Sequence, residues 1–418
     1  MSLWRMAWRY LWGRALVTTL TLTGIALSAA LICSVLTLRR ESESGFLRES
    51  GQYDLVAGAK GSPLQLVLSS VYHLDLPTGN IPYDRFLSLR DDPRIASAIP
   101  LGLGDNYRGY RIVGTDTNLF LLNDRLNLQK QLFNLQEGRF FQNDFDAVVG
   151  SQVASQTGLK LGDTFVGTHG LVVTPGSSEH KAFPYKVVGV LAPGNGANDR
   201  AIFTPLASVW RIHSDETEIH RKLAGIVSTN ATALASDLEV TAVLLRLKAV
   251  GLRLWMSQEI QKRTESMAAI PVNEMLRLYQ QVLAPMQRVL LAVAALVVLV
   301  SALSITATLY QSAERRRRDL AVLRALGAHP HEIFALVVLE ALLLTWLGLA
   351  AGWLIGHGAL AAAGPHLRDT LGIGVSPWST DRIEIIALGI VALGGLLAGL
   401  VPAVLAYRRE PVSDLNAA

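Results

Sequence analysis

Four long apolar runs constrain this chain more than any other feature. Residues 15–38, 289–313 and 385–407 carry no charge before their basic flanks, and residues 333–355 carry only Glu340. A helix of about 20 apolar residues crosses a bilayer. Buried helices of soluble proteins are usually shorter and amphipathic, so the runs predict four transmembrane helices. Composition agrees: of 418 residues, 50% are hydrophobic and 17% charged. An average soluble domain is about a quarter charged, and here the mean hydropathy is +0.32. Low charge, 35 glycines and one cysteine exclude disorder, collagen and a disulfide scaffold.

Basic residues set the expected orientation. Arg5, Arg9 and Arg14 precede the first run, Arg315 to Arg318 and Arg324 lie between the second and third, and Arg408 and Arg409 follow the fourth. Arginine is retained on the cytoplasmic side, which places both termini and the 314–332 loop inside and the 356–384 loop outside. Arg39 and Arg40 fall on the outer side, offset by Glu41 and Glu43; long domains translocate despite local charge. The first run, at 24 residues, exceeds the apolar core of a cleaved signal peptide, about 7–15 residues. Ile32 before Cys33 does not fit a lipoprotein signal. With no second cysteine, Cys33 forms no internal disulfide, and a span-packing role is expected. In residues 1–14, Trp4, Trp8 and Leu11 share one helical face and Arg5 and Arg9 another, predicting an interfacial helix on the inner leaflet and contact with membrane lipids.

The segment 39–251 has a different character. Short β-like runs recur, including Tyr110-Arg-Ile-Val-Gly, Ala147-Val-Val-Gly and Tyr185-Lys-Val-Val-Gly-Val-Leu. Pro77-Thr-Gly-Asn, Leu101-Gly-Leu-Gly-Asp, Pro175-Gly-Ser-Ser and Pro193-Gly-Asn-Gly read as turns. Helical patches at 151–157 and 204–213 intervene. The expected fold is therefore a membrane protein of four transmembrane α-helices, with a large α/β extracytoplasmic domain of two lobes inserted between the first and second. Residues 252–288 turn helical and predict a stalk running into the second span, with Pro271 and Pro285 as kink points.

Catalytic signatures are missing from the sequence. It has no Gly-x-x-x-x-Gly-Lys-[Ser/Thr] phosphate cradle, no His-Glu-x-x-His, no cysteine cluster and no Gly-x-Ser-x-Gly. No aromatic-interleaved basic surface suggests nucleic acid. His213, Glu216 and His220 would share a helix face, a donor set that suits zinc. A solvated acidic helix explains the same residues, and no metal ligand is assigned. The loop Glu314-Arg-Arg-Arg-Arg-Asp-Leu-Ala-Val-Leu-Arg-Ala-Leu-Gly-Ala-His-Pro-His-Glu-Ile-Phe carries an apolar stripe of Leu320, Leu323, Ala325 and Leu326 beside its charges. A topogenic loop needs the arginines but not the leucines. A short amphipathic helix that contacts a separate protein needs both, and Gly327 suits its end.

These residues carry a family resemblance. Arg318-Asp-Leu-Ala-Val-Leu-Arg-Ala-Leu-Gly-Ala resembles the coupling-helix signature of the MacB/FtsX-like superfamily of ABC transporter permeases. Gly399-Leu-Val-Pro-Ala-Val-Leu-Ala-Tyr-Arg-Arg-Glu-Pro-Val-Ser-Asp-Leu is similar to its closing motif, and Arg9-Tyr-Leu-Trp-Gly-Arg to its entry into the first span. Val113-Gly-Thr-Asp, Gly138-Arg-Phe-Phe, Val149-Gly-Ser and Gly158-Leu-Lys-Leu-Gly-Asp resemble the MacB-type periplasmic domain. The resemblance implies a type VII ABC assembly in a bacterial inner membrane, with two identical or related permeases above two ATPase subunits. ATP and Mg²⁺ would sit on the ATPase, supplied by another polypeptide, and this chain would bind no cofactor of its own. Closure of the ATPases would move the coupling helices and, through the stalks, the periplasmic domains. ATPase contact is implied for Arg318, Asp319, Leu320, Leu323, Arg324, Leu326 and Gly327, while Arg315 to Arg317 are expected at the lipid surface. A periplasmic adaptor or lipoprotein would be a further partner.

Two intramembrane features suit an assembled bundle. Gly348, Gly352 and Gly356, and likewise Gly395 and Gly399, repeat at four-residue spacing, which permits close helix approach in lipid. Glu340 must face the bundle or water and find a polar partner. The large insert favours extrusion or extraction of cargo at the periplasmic side. An FtsX-type permease that activates a periplasmic enzyme is the alternative, with a metal-linked transport system behind it, and a membrane-anchored binding protein without a motor is a third class.

Overall fold

The computed structural model describes residues 3–408 except 14, 126, 128, 129, 171–181, 214–237, 264, 317–321, 323, 325, 326 and 372–375. The described helices are α1 (Leu3–Trp12), α2 (Ala15–Ser50), α3 (Pro63–Ser70), α4 (Tyr83–Arg90), α5 (Ser151–Thr157), α6 (Leu206–His213), α7 (Arg253–Arg263), α8 (Pro271–Arg315), α9 (Pro330–Leu371) and α10 (Arg382–Arg408). Four of them, α2, α8, α9 and α10, are long and apolar enough to cross a membrane. The chain divides into two compact units. One holds residues 1–41, 282–366 and 375–418, and the other holds residues 42–281 and 367–374.

The helices outrun the apolar segments that announce them. The 36-residue α2 continues past Leu38 through Arg39, Arg40, Glu41 and Glu43 to Ser50. Charge does not end a helix, since Arg and Glu are good helix formers, and the break waits for Gly51. Likewise α9 runs through Pro365 to Leu371, so much of the stretch expected as the 356–384 loop is helical. The fourth helix carries Pro402 inside it, as α9 carries Pro365.

Beside a separate two-stranded pairing of 81–82 and 239–240, the α/β unit is built on one large sheet. Its order is 266–269, 55–59, 242–247, 95–107, 110–115, 201–205, 146–149, 185–191 and 135–138, with short strands at 164–165 and 168–169 joining its side. The strand Ile95–Tyr107 holds it together: residues 95–101 pair antiparallel with 242–247, and residues 102–107 pair antiparallel with 110–115. One strand thus joins the two halves of the sheet, where two lobes were expected. Alternation along each strand sorts side chains onto two faces. Val56, Ala242 and Leu244 join Leu66 and Val67 of α3 in one core. Leu55, Ala57, Val243 and Leu245 join Phe86 of α4 and Met256 and Ile260 of α7 in the opposite one.

Two expectations are corrected here. Leu101-Gly-Leu-Gly-Asp is no turn but the middle of the 13-residue strand Ile95–Tyr107. Glycine within a strand marks close approach, and a Cβ on Gly102 would lie 2.8 Å from Cδ1 of Leu206 in α6. Nor is 252–288 one helical stalk. After α7 the strand Ser266–Ala269 pairs antiparallel with Leu55–Ala59, so the chain rejoins the sheet before α8 begins at Pro271. A π-helical turn over Tyr279–Leu283 interrupts the α-helical pattern of α8 just before Pro285.

Motif residues of the α/β unit do structural work. Gly138 adopts φ +81°, which an L-residue rarely accepts. Beyond it Phe140 stacks on Phe120 at 4.2 Å between ring centroids, and Phe141 meets the same ring edge-on at 5.1 Å. Asp116 closes its turn by accepting from the Asn118 N–H at 3.1 Å. Lys160 N–H donates to the Asp163 carboxylate at 2.8 Å.

Candidate functional site

The helical unit carries the groups singled out in the sequence. Along α9, glycines replace side chains where α2 passes. A Cβ on Gly348 would lie 2.7 Å from Cβ of Ile25, one on Gly352 2.5 Å from Cβ of Ala29, and one on Gly356 3.1 Å from Cβ of Cys33. No room exists for a methyl group at any of the three. On α10, a Cβ on Gly395 would overlap Thr345 and one on Gly399 would overlap Ala341, both on α9. Each four-residue repeat therefore faces a neighbouring helix, and α9 stands between α2 and α10.

Glu340 is 6% exposed and lies in the first third of α9. The Arg316 guanidinium lies 3.7 Å from its carboxylate, a partner at the end of α8. Arg316 also lies over the Tyr10 ring of α1 at 3.6 Å and donates to the Tyr10 carbonyl at 3.3 Å. Burying a carboxylate is costly unless it is paired, so this arginine turns inward. That corrects its expected place among lipid-surface charges: its side chain is 14% exposed. On α1, Ala7 and Leu11 are buried in the helical core, whereas Trp4, Trp8 and Trp12 are exposed. Leu11 therefore leaves the face on which the sequence grouped it with Trp4 and Trp8.

Of the residues assigned to ATPase contact, Arg318, Asp319, Leu320, Leu323 and Leu326 lie outside the described residues. Val322 and Arg324 are helical, and Gly327 follows in a turn at φ +105° with open space around it. Its N–H donates to the Arg324 carbonyl at 3.1 Å. A positive φ at the residue after a short helix is the arrangement that ends one. The next helix opens with its own cap, where the His329 N–H donates to Glu332 at 2.9 Å. Glu216 and His220 also lie outside the described residues, and His213 ends α6.

In the α/β unit, a cleft of about 330 Å³ opens beside Gly104, His169, Trp210 and Glu239. Its polar rim is largely self-satisfied: Asn80 donates to Glu239 at 2.8 Å, and Thr241 donates to Asn80 at 3.1 Å. Among its described lining residues no nucleophile stands beside a base.

Comparison with known proteins places this architecture. A model of the MacB-like periplasmic core domain matches residues 18–246, more than half of the chain, and a model of the FtsX-like permease C-terminal region matches residues 291–411. The chain belongs to the MacB/FtsX-like family of ABC transporter permeases. It is 23% identical over 98% of its length to a pyoverdine export ATP-binding/permease protein, PvdT, of Pseudomonas fluorescens. It is 22% identical over 99% of its length to a macrolide export ATP-binding/permease protein, MacB, of Nitrosomonas europaea. The chain spans 58% of the length of each of those relatives. A crystal structure of the periplasmic region of MacB from Actinobacillus actinomycetemcomitans covers 56% of the chain at 9% identity, with a TM-score of 0.33. The four apolar helices and the α/β insert after the first of them are thus those of a family of membrane permeases, which generally are not enzymes themselves.

Proposed function

We propose that this chain is the membrane subunit of a bacterial inner-membrane ABC system and that it relays the motion of an ABC ATPase carried on another polypeptide. Both termini and the 314–332 loop face the cytoplasm, and the α/β domain faces the periplasm. ATP and Mg²⁺ bind the ATPase, not this chain. Two permeases, identical or related, pair above two ATPases. The observation that carries this reading is the pairing of both family models on one chain, with the arginine- and leucine-rich 314–332 loop between α8 and α9. The helical Arg324 and the positive φ at Gly327 support a short lever rather than a slack connection.

Energy passes from the loop by rigid elements. ATPase closure displaces the lever, which is anchored at one end to α8 and at the other to α9. The work done at the periplasmic domain is export or extraction of a cargo, in keeping with the size of the insert; a periplasmic adaptor or lipoprotein would receive it. A regulatory permease that activates a periplasmic enzyme is the second reading, and the partner that co-purifies with the complex separates the two.

The lever is tested by substitution. Leu323→Asp places a charge on the expected contact face, and Gly327→Pro imposes φ near −65° where +105° is needed. Each is expected to lower ATPase co-purification and complex-stimulated ATP hydrolysis at least tenfold while the membrane level of the chain holds. Native-like ATPase binding in both variants would remove the loop from the interface.

A further inference from the structure

Three side chains from distant points of the sequence converge at one end of the helical unit. Cys33 of α2, His357 of α9 and Glu384 of α10 are 0%, 0% and 1% exposed. Their Sγ, imidazole nitrogen and carboxylate oxygen all lie within 4.8 Å of one another. Three atoms no more than 4.8 Å from one another all lie within about 2.8 Å of a common point. Zinc takes thiolate sulfur at about 2.3 Å and imidazole nitrogen at about 2.0 Å, so small side-chain adjustments bring all three onto one ion.

The imidazole is set for ligation. Its Nδ1 meets the Pro377 carbonyl, which can only accept, so Nδ1 carries a proton. Its Nε2 then points at Oε1 of Glu384, 2.7 Å away. A carboxylate and a neutral imidazole both present lone pairs there, so either a proton or a cation must lie between them. A backbone carbonyl holding the far nitrogen is the usual support of a metal-bound histidine. Trp353 packs on the imidazole at 4.7 Å between centroids and Trp378 at 6.1 Å, walling the group with apolar surface. The closeness of Cys33 follows from the glycine stripe: a Cβ on Gly356 would lie 2.8 Å from the Ala30 carbonyl and 3.1 Å from Cβ of Cys33.

We propose that Cys33, His357 and Glu384 bind a zinc ion that clasps α2, α9 and α10 together. A thiolate, an imidazole and a carboxylate form a borderline-soft donor set that suits zinc over magnesium or calcium, and three protein ligands leave a fourth position open to water or an arriving donor. Thiolate ligation releases the thiol proton, so binding is tighter at higher pH. The site needs no ATPase and stands apart from the reading of the 314–332 loop.

The test uses the full chain in detergent, stripped with a chelator and then given Zn²⁺ or Co²⁺. About one Zn²⁺ per chain is expected after desalting, with a rise in thermal midpoint that chelator reverses. Co²⁺ should give the charge-transfer absorption of a thiolate ligand. Cys33→Ser should abolish that band, and Glu384→Gln should weaken Zn²⁺ binding at least tenfold, whereas His213→Gln should change neither. Absence of the thiolate band in the native chain at micromolar Co²⁺ would leave a proton-bridged triad and overturn the proposal, as would zinc stoichiometry that is unchanged in both ligand variants. The band is read on the native chain, so poor folding of a variant does not hide the answer.

Discussion

At the scale of single residues, the α/β unit depends on charges placed where water is excluded. Asp54 has a fully buried side chain, within 2.7 Å of Arg125 and 2.5 Å of Arg253, and accepts from the Leu247 N–H at 2.8 Å. Burial alone would raise its pKa, but the bonds from Arg125, Leu247 and Arg253 outweigh it and hold the carboxyl below its ordinary value. A depressed carboxyl contributes stability above its unfolded pKa, near 3.8, and loses it as pH falls through the lower folded value. Asp54→Asn leaves two arginines facing a neutral group and should cost about 3 kcal/mol, read as a lower midpoint in denaturant. His73 gives the same direction of pH dependence from a different cause, since here the neutral form is the one that is favoured. Burial, with Arg111 and Arg200 nearby, lowers its pKa from 6.5 to about 4 despite the bond to Asn198. Between those values the unfolded chain binds a proton that the folded chain refuses, so stability should fall as pH drops from 6.5 to 4. His73→Gln should flatten that part of the difference in thermal midpoint between pH 7 and pH 4.5; an unchanged slope would show that other groups set it.

At the scale of elements, what was legible in the sequence depended on how local the signal was. The four spans were legible because apolar length alone decides them, and Ser151–Thr157 because a glycine stands at each end. The strand Ile95–Tyr107 was misread because Gly102 and Gly104 look like turn residues when the helix packed on Gly102 is unknown. The strand Ser266–Ala269 was lost inside an expected stalk because four small residues carry no period of their own, and only pairing with Leu55–Ala59 makes them a strand. Glu340 was legible as a group needing a partner, but Arg316 was not legible as that partner, since the pairing depends on how α8 meets α9. Cys33, His357 and Glu384 share no spacing from which a sequence reading could join them. Helix packing itself is testable. Gly352→Leu would drive a side chain into Ala26 and Ala29, and should cost about 1–3 kcal/mol as a lower thermal midpoint in detergent. Gly358→Ala, one turn and a half further along α9, meets open space and should cost nothing. Equal midpoints for the two variants would mean that α2 and α9 are not held together at the glycines.

At the scale of the whole molecule, the proposed relay requires the 314–332 loop and the α/β domain to lie on opposite sides of the membrane. In the proposed topology α2 carries the chain out, α8 returns it, and α9 and α10 repeat the excursion. The arginine-rich flanks are the support for that direction. Two single-residue probes read it. Glu265 has a side chain 97% exposed in the α/β unit, and Ala328 follows the turn at Gly327. The native Cys33 is buried and serves as the unreactive background. In spheroplasts, a membrane-impermeant maleimide should label Glu265→Cys at once and Ala328→Cys only after permeabilisation. Labelling of both from outside would place the lever beyond the reach of any cytoplasmic motor, and reversal of the two would turn the whole chain over. Either result would leave the family membership intact while removing the physical route by which ATP hydrolysis could act on the α/β domain.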